Sequence, residues 1–431
     1  MLLRRSKKNK IKKFFIKYFF LVNDGFDHYL NLSKVTSNKR IKLNFNKFSI
    51  LFNIRRFIIL FLQIIFLPLA FIMYLTNTKI VSANPFTIGN CIEEIECILK
   101  RNLFRKKKYN LIFFAPPQIS HNNYLPHFFD TKLIVLKSAF WAILIIPLSH
   151  YRFCLENAVI KNNTSCIFPT QYTNKINEDD AINQNILSHN IIFEELLNYK
   201  KNDHKFIDFK SSLKKTFFYK IKKKYDLKNK KFCIFHFRNE EIHKTRNNNF
   251  KNYYKSINYL LKRNYKIIIL SSAIKFKKKN VIIIDPSNKD NHIDQFYLIN
   301  YCALYVGPLS GPWALANLLK KRIILTNTVV FNFPIINNNF INLPKQIYKK
   351  NKKKKLTIRE IFENKLECCW QYNDLRKKNV YLKDNTSNEI LKVIKFSFNK
   401  KKRFISFKNE KFYKKQKFKE FLIINKIPFW Y

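Results

Sequence analysis

The chain has 431 residues, enough for two domains with appendages. Its 82 Lys and Arg face 28 Asp and Glu, a formal net charge of +54, and lysine fills runs such as "YKKNKKKKL" (348–356). Lysine spread so evenly marks a general affinity for anionic partners, a membrane surface as readily as RNA, and no specific nucleic-acid site is expected. The eight cysteines form no CxxC pair and no Cys/His zinc spacing. That pattern argues against a zinc module and for a reducing compartment; no metal is expected.

Residues 1–54 read as a basic arm without a clear period. Next comes "FIILFLQIIFLPLAFIMYL" (57–75), broken only by Gln63 and Pro68, which is long enough to cross a bilayer as a helix. Fifteen Lys or Arg precede it against two acids, Asp24 and Asp27, but the rest of the chain is as basic, so charge gives little orientation. The run is long for a signal peptide, and no small-residue cleavage site follows it closely. Membrane attachment through residues 55–77 is expected, with crossing and surface attachment both open. "SAFWAILIIPL" (138–148) is too short to span and reads equally as an interfacial segment or a core helix.

Residues 78–225 hold a first α/β domain and a linker. "TKIVSANPFTIGNCIEEIECILKRN" (78–102) gives a strand, a turn at Gly89 and a helix with Ile92, Ile95, Cys97 and Ile98 on one face. "YNLIFFAPP" (109–117) and "TKLIVL" (131–136) are further strands. The Asn- and Lys-rich stretch 150–225 has a helical centre, "NIIFEELLNY" (190–199).

Residues 226–400 alternate more clearly. Strands are expected at 231–238, 265–272, 280–285, 303–307 and 322–327, with helices at 249–264, 292–302 and 312–321. Continuous apolar strands separated by helices predict a doubly wound parallel sheet. Residues 401–431 are a basic tail.

Two of the four glycines fall in "VGPLSGPW" (306–313), the loop between a buried strand and a helix. Ligands of open α/β sheets bind where such loops leave the strands. Gly307 permits a positive φ or a close approach to the backbone, and Pro308 stiffens the turn. Ser310 and Gly311 stand at the helix entry, with Pro312 at its first position, where hydroxyl, amides and dipole together suit a diphosphate. A turn with an ordinary N-cap is the competing reading.

The second convergent element is "FHFRNEEIHKTRNNN" (235–249). Arg238, at the end of its strand, offers a planar fork for phosphate, and His236 points the same way, two residues earlier. For His236 itself, a core histidine hydrogen-bonded to backbone is the favoured reading over a ligand contact. Glu240, Glu241 and His243 follow in the loop and are the candidates for a general base. Arg246 opens the next helix, where a cation is unfavourable unless an anion joins it. Asp285, ending a strand, and Asp294, on a helix, are candidate acceptors for a ribose or base, with cap and surface roles as the alternative.

The succession "FHFRNEEIHKTRNNNFKNYYKSINYLLKRNYKIIIL", "HIDQFYLINYCALYVGPLSGPWALANLLKKRIILTN", "INLPKQIYKKNKKKKLTIREIFE" and "DNTSNEI" resembles a family of bacterial glycosyltransferases found with surface-polysaccharide genes. The first half matches mainly through "VSANPFTIGNCIEEIE" and "LIFFAPP". The resemblance implies a GT-B-like α/β architecture, two Rossmann-like domains facing across a cleft, with the nucleotide-sugar held by the C-terminal one. It also implies that His236 and Arg238 match the H-x-R element of fucosyltransferase-like members, whose arginine contacts the donor diphosphate. Ser310 and Gly311 match the loop that wraps its phosphates. Pro308 and Pro312 depart from that pattern by removing amides.

The expectation is therefore metal-independent transfer of a sugar from a nucleotide-sugar donor to a glycan acceptor of lipopolysaccharide or capsule synthesis. No cofactor is expected. A lipid-linked acceptor suits the apolar run, and the catalytic domains are expected on the cytoplasmic face of a membrane. The rival readings are a basic protein binding nucleic acid or anionic membranes, and a non-catalytic scaffold of the same descent.

Overall fold

A computed structural model describes residues 61–82, 88–114, 129, 133–136, 148, 151–157, 212–227, 231–239, 244–286, 288, 291–329, 340–351, 353–364, 366 and 372–398. The chain forms two compact units, Met1–Ile192 and Phe193–Tyr431. The expected helices at 190–199 and 138–148, apart from Leu148, lie outside the described residues, as do the basic arm and tail.

In the first unit, helix α1 (61–75) leads into β1 (Thr78–Ser82), α2 (Ile88–Phe104), β2 (Asn110–Phe114), β3 (Leu133–Leu136) and β4 (Leu155–Asn157). The strands make a parallel sheet of order β3-β2-β1-β4. The expected one-sided helix α2 is instead buried on every side from Cys91 to Lys100. Two of its buried charged residues pair with each other: Lys100 Nζ lies 2.5 Å from Glu96 Oε1. Arg101 and Arg105 both grip Glu156 on β4 at 2.9 Å, Arg105 with two parallel bonds. No helix among the described residues is long and apolar enough to cross a membrane; residues 57–60 of the apolar run are not among them.

The second unit begins with α3 (Ser212–Lys224), β5 (Phe232–His236), two 3-10 turns (Lys244–Arg246 and Phe250–Tyr253) and α4 (Tyr254–Lys262). It continues with β6 (Lys266–Leu270), β7 (Val281–Ile284), α5 (His292–Tyr301), β8 (Leu304–Gly307), α6 (Gly311–Leu318) and β9 (Ile323–Thr328). Last come β10 (Phe340–Pro344), β11 (Gln346–Lys349), α7 (Ile358–Glu363), α8 (Tyr372–Lys377), β12 (Val380–Lys383) and α9 (Ser387–Ser397). Six strands form the parallel sheet β10-β9-β8-β5-β6-β7, and β11 pairs antiparallel with β12 in a separate ribbon.

The expected linker contributes α3 to this second unit. Phe218 stacks on Tyr301 with ring centroids 3.5 Å apart, and Lys224 Nζ reaches Asp294 Oδ2 at 2.6 Å. The division by contacts therefore falls at Ile192/Phe193 and not at 225/226.

Period-two alternation sorts the central strands between two faces. Cys233, Phe235, Leu304 and Val306 pack with Tyr253, Ile257 and Leu260 of the α4 region and with Ile390, Val393 and Ile394 of α9. Ile234, His236, Tyr305 and Gly307 face the other way.

At the C-terminal ends of β9 and β10 lies a buried polar network. The Tyr253 hydroxyl meets Thr326 Oγ1 at 2.6 Å and accepts from Asn248 Nδ2 and Asn327 Nδ2, both at 3.1 Å. Asn327, at φ 56°, and Asn385 exchange reciprocal bonds of 2.7 Å, each backbone N–H donating to the other's Oδ1. Asn385 Nδ2 also donates to the Pro344 carbonyl at 2.7 Å. Truncating Asn385 strands a buried amide and a buried carbonyl. Asn385→Ala is expected to lower unfolding free energy by about 2–5 kcal/mol in urea titration.

Candidate functional site

The order of the six-stranded sheet locates a crevice before any side chain is considered. From β5 the chain moves outward through β6 to β7, then returns to β8 on the opposite side of β5 and moves outward again to β10. Loops leaving β5 and β8 therefore diverge from adjacent strand ends, the topological switch point where open parallel sheets bind ligands.

At that point β5 and β8 come unusually close. A Cβ built on Gly307 would stand 3.0 Å from His236 Cβ and 3.1 Å from its carbonyl oxygen. None of the described glycines has a positive φ, so Gly307 is needed for the closeness of the neighbouring strand and not for a left-handed turn. That corrects the positive φ the sequence suggested for this glycine.

Ser310 caps α6 with extended backbone (φ −158°, ψ 170°), but its hydroxyl makes no capping bond. It lies 2.8 Å from His236 Nδ1, so the loop after β8 is tied to the end of β5 by side chains. Pro312 occupies the second helical position, with Gly311 at the first, and the Trp313 amide closes a turn onto the Ser310 carbonyl at 3.1 Å. Pro308 is buried. His236 is 7% exposed; burial, and then the charge of Arg238, push its imidazole down to about 3. It is thus a neutral core histidine, as one reading allowed, bonded to a side chain rather than to backbone. Beneath Ser310, burial pushes the Tyr305 phenol far above its ordinary value, and the nearby serine hydroxyl only moderates that shift.

The loop after β5 folds back on its own strand. Arg238 N donates to Asn248 Oδ1 at 3.0 Å, and Asn248 Nδ2 reaches the His236 carbonyl at 3.4 Å. This fold brings Arg246 beside Arg238. Burial and then the Arg238 charge lower the Arg246 guanidinium to about 9, and the Nε atoms of both arginines are shielded from solvent. Arg246 belongs to a short 3-10 turn and not to the start of the expected helix, so no helix dipole opposes it. Lys345, also buried, donates to the Asn247 carbonyl at 3.0 Å and pairs with Asp384 at 2.7 Å, which steadies the same loop from β10.

His236, Arg238, Arg246, Gly307, Pro308, Ser310 and Gly311 therefore gather at one end of β5 and β8. Asp285 and Asp294 do not join them by any bond described. Asp285 follows β7, two strands and about 10 Å from β5, and its backbone carbonyl accepts from Asn291 Nδ2 at 3.1 Å. The Asp294 carboxylate is taken up by Lys224 Nζ and the Tyr225 hydroxyl, each at 2.6 Å, and fastens α5 to α3. Glu240, Glu241 and His243 lie outside the described residues. Among the described residues no group of three His, Cys, Asp or Glu is placed to hold a metal. The sequence reading passed over Asn248, Tyr253, Lys345 and Asn385, the residues that hold the loops in place.

No known family model and no curated protein matches the chain. Among solved structures it is similar to E. coli ADP-heptose lipopolysaccharide heptosyltransferase II: 12% identity, TM-score 0.37, covering 62% of this chain and 90% of that one. It is also similar to a family 9 glycosyl transferase from Veillonella parvula, with 11% identity, TM-score 0.38, and 70% and 95% of the two chains covered. The wall teichoic acid polymerase TagF matches at 10% identity and TM-score 0.27, over 57% of this chain and 69% of that one. No residue's role follows from likenesses this distant.

Gly307→Ala must separate β5 from β8 or displace the His236 backbone; a loss of about 1–3 kcal/mol in stability is expected from thermal or urea unfolding. The depressed pKa of His236 has a pH consequence. Between its ordinary value of 6.5 and about 3, the unfolded chain holds a proton on this imidazole that the folded one does not. Stability from this group is complete above that window and falls as pH drops through it, by up to about 1.4 kcal/mol per pH unit. His236→Gln should remove that part of the acid sensitivity, so the stability gap between wild type and variant narrows below pH 6.5.

Proposed function

We propose that the chain is a glycosyltransferase that uses a nucleotide-sugar donor, with the donor's diphosphate seated between Arg238, Arg246 and the 307–311 loop. The observation that carries the reading is the approach of two half-buried arginines, their Nε atoms shielded from solvent, at the switch point of a parallel sheet. Like charges brought together out of water are costly, and an anion between them reverses the sign of that interaction. A diphosphate matches the charge and suits the forked donors of arginine.

In the proposed reaction, the bond between the anomeric carbon and the donor's phosphate oxygen breaks, and its electron pair leaves with the nucleoside diphosphate. The acceptor's hydroxyl oxygen bonds to the anomeric carbon and gives its proton to a general base, for which Glu240, Glu241 and His243 are the candidates. Arg238 and Arg246 would stabilise the charge growing on the leaving group, a task preorganised donors perform without forming a covalent intermediate. His236 stays neutral down to about pH 3, which suits it to hold Ser310 and not to exchange protons.

The proposed acceptor is a glycan of bacterial surface polysaccharide, and the reading requires the second unit to meet cytoplasmic nucleotide-sugars, on that face of a membrane. A nucleic-acid-binding reading rests on the net charge alone and leaves the tied loops without a role. It predicts affinity that falls steeply with salt and no response to nucleoside diphosphates.

Arg238→Ala and Arg246→Ala should each lower sugar transfer by about 10²–10³-fold with little change in melting temperature, the scale seen when one charge-stabilising donor is removed. Near-normal transfer by either variant contradicts its role. In a thermal-shift screen, nucleoside diphosphates are expected to raise the melting temperature of the wild type and not that of Arg238→Ala.

A further inference from the structure

Helix α1 in the first unit has two unlike faces although nearly every residue in it is apolar. Phe66, Ala70 and Met73 pack against Ile80, Leu148, Cys154 and Leu155, and the Tyr151 hydroxyl donates to the Gln63 carbonyl. Positions 63, 66, 70 and 73 fall on one side of a helix. The opposite side presents Phe61, Ile64, Ile65, Phe71, Ile72 and Leu75, each more than half exposed. An apolar face of this extent marks an interaction site.

The chemistry at the C-terminal end of α1 indicates the partner. The Asn110 amide bonds to the Asn77 carbonyl at 2.9 Å, and its side chain to the Thr76 carbonyl at 3.0 Å, which brings the segment before β2 to the end of α1. That segment exposes Lys106, Lys107 and Lys108 in succession. Tyr74 and Phe153, both exposed, meet edge to face there with centroids 5.7 Å apart. An apolar helix face bordered by aromatic rings, one of them a tyrosine, and by lysines is the composition that settles at the boundary of headgroups and acyl chains of an anionic leaflet.

We propose that α1 docks the first unit onto an anionic phospholipid surface, lying along it and not crossing it. A helix fixed to its own domain along the 63, 66, 70, 73 side cannot be surrounded by lipid. Pro68, on the exposed side, also withholds an amide from the Ile64 carbonyl, which water at an interface can satisfy and hydrocarbon cannot. The inference concerns the first unit alone and stands apart from the proposed catalytic role of the second.

The test is flotation of the full chain with vesicles of phosphatidylcholine, alone or mixed with phosphatidylglycerol, at low and high salt. The wild type is expected to float with the mixed vesicles and to be released in part by salt. Ile64→Glu with Phe71→Glu should abolish flotation on both vesicle types, with an unchanged circular-dichroism melt. Lys106→Ala, Lys107→Ala and Lys108→Ala together should weaken binding to mixed vesicles by roughly fivefold per lysine, and leave phosphatidylcholine binding unchanged. The lysine variant alters only exposed side chains, so it tests the electrostatic half even if the helix variant misfolds. The proposal is overturned if the wild type floats with neither vesicle, if the helix variant folds and still floats, or if sedimentation shows the exposed face buried between two copies that bind no lipid.

Discussion

The second unit is organised around the contact between β5 and β8 at Gly307 and His236. An approach of 3.0 Å to a would-be side chain is possible only for glycine, and it sets the histidine where Ser310 can bond its ring at 2.8 Å. The bond replaces the N-cap that Ser310 would otherwise supply, so the entry of α6 is tied to the neighbouring strand rather than to its own first turn. Burial then holds the imidazole neutral. A protonated histidine here would add a third cation beside the arginines with no acid to balance it in the same bond.

The loop that carries the arginines is held largely by uncharged side chains, with Lys345 bonding the Asn247 carbonyl beside them. Asn248 takes the Arg238 amide and donates to the Tyr253 hydroxyl, which in turn meets Thr326 and Asn327; Asn385 carries the network on to β10. A loop held by amides and a phenol keeps its shape through hydrogen bonds that polarise one another. Two acids of this unit have partners among the described residues: Asp384 pairs with Lys345, and Asp294 with Lys224 and Tyr225.

The alternation of apolar strands and helices after residue 226 foretold the parallel sheet, because strands such as "KIIIL" and "IILTNT" are buried on both faces and can hardly be anything else. The importance of Gly307 was legible too, since a chain with only four glycines places two of them in one strand-to-helix loop. Its reason was not, because only the pairing of β8 with β5 reveals what a side chain would strike. Asn248, Asn327 and Asn385 were hidden by abundance: in a chain so rich in asparagine, those that carry the network look like those on the surface. Asp294 misled for the opposite reason. A lone acid in a basic sequence attracts a functional reading, whereas its partners come from α3, a helix the sequence could not assign to the same unit.

Hydrogen–deuterium exchange of the full chain, with and without a nucleoside diphosphate, tests the central claim most directly. If the anion bridges the ends of β5 and β8, amides in 236–249 and in 307–313 will be protected together, and His236→Gln will uncouple the two responses. Protection of only one segment, or of neither while another region responds, would contradict the account.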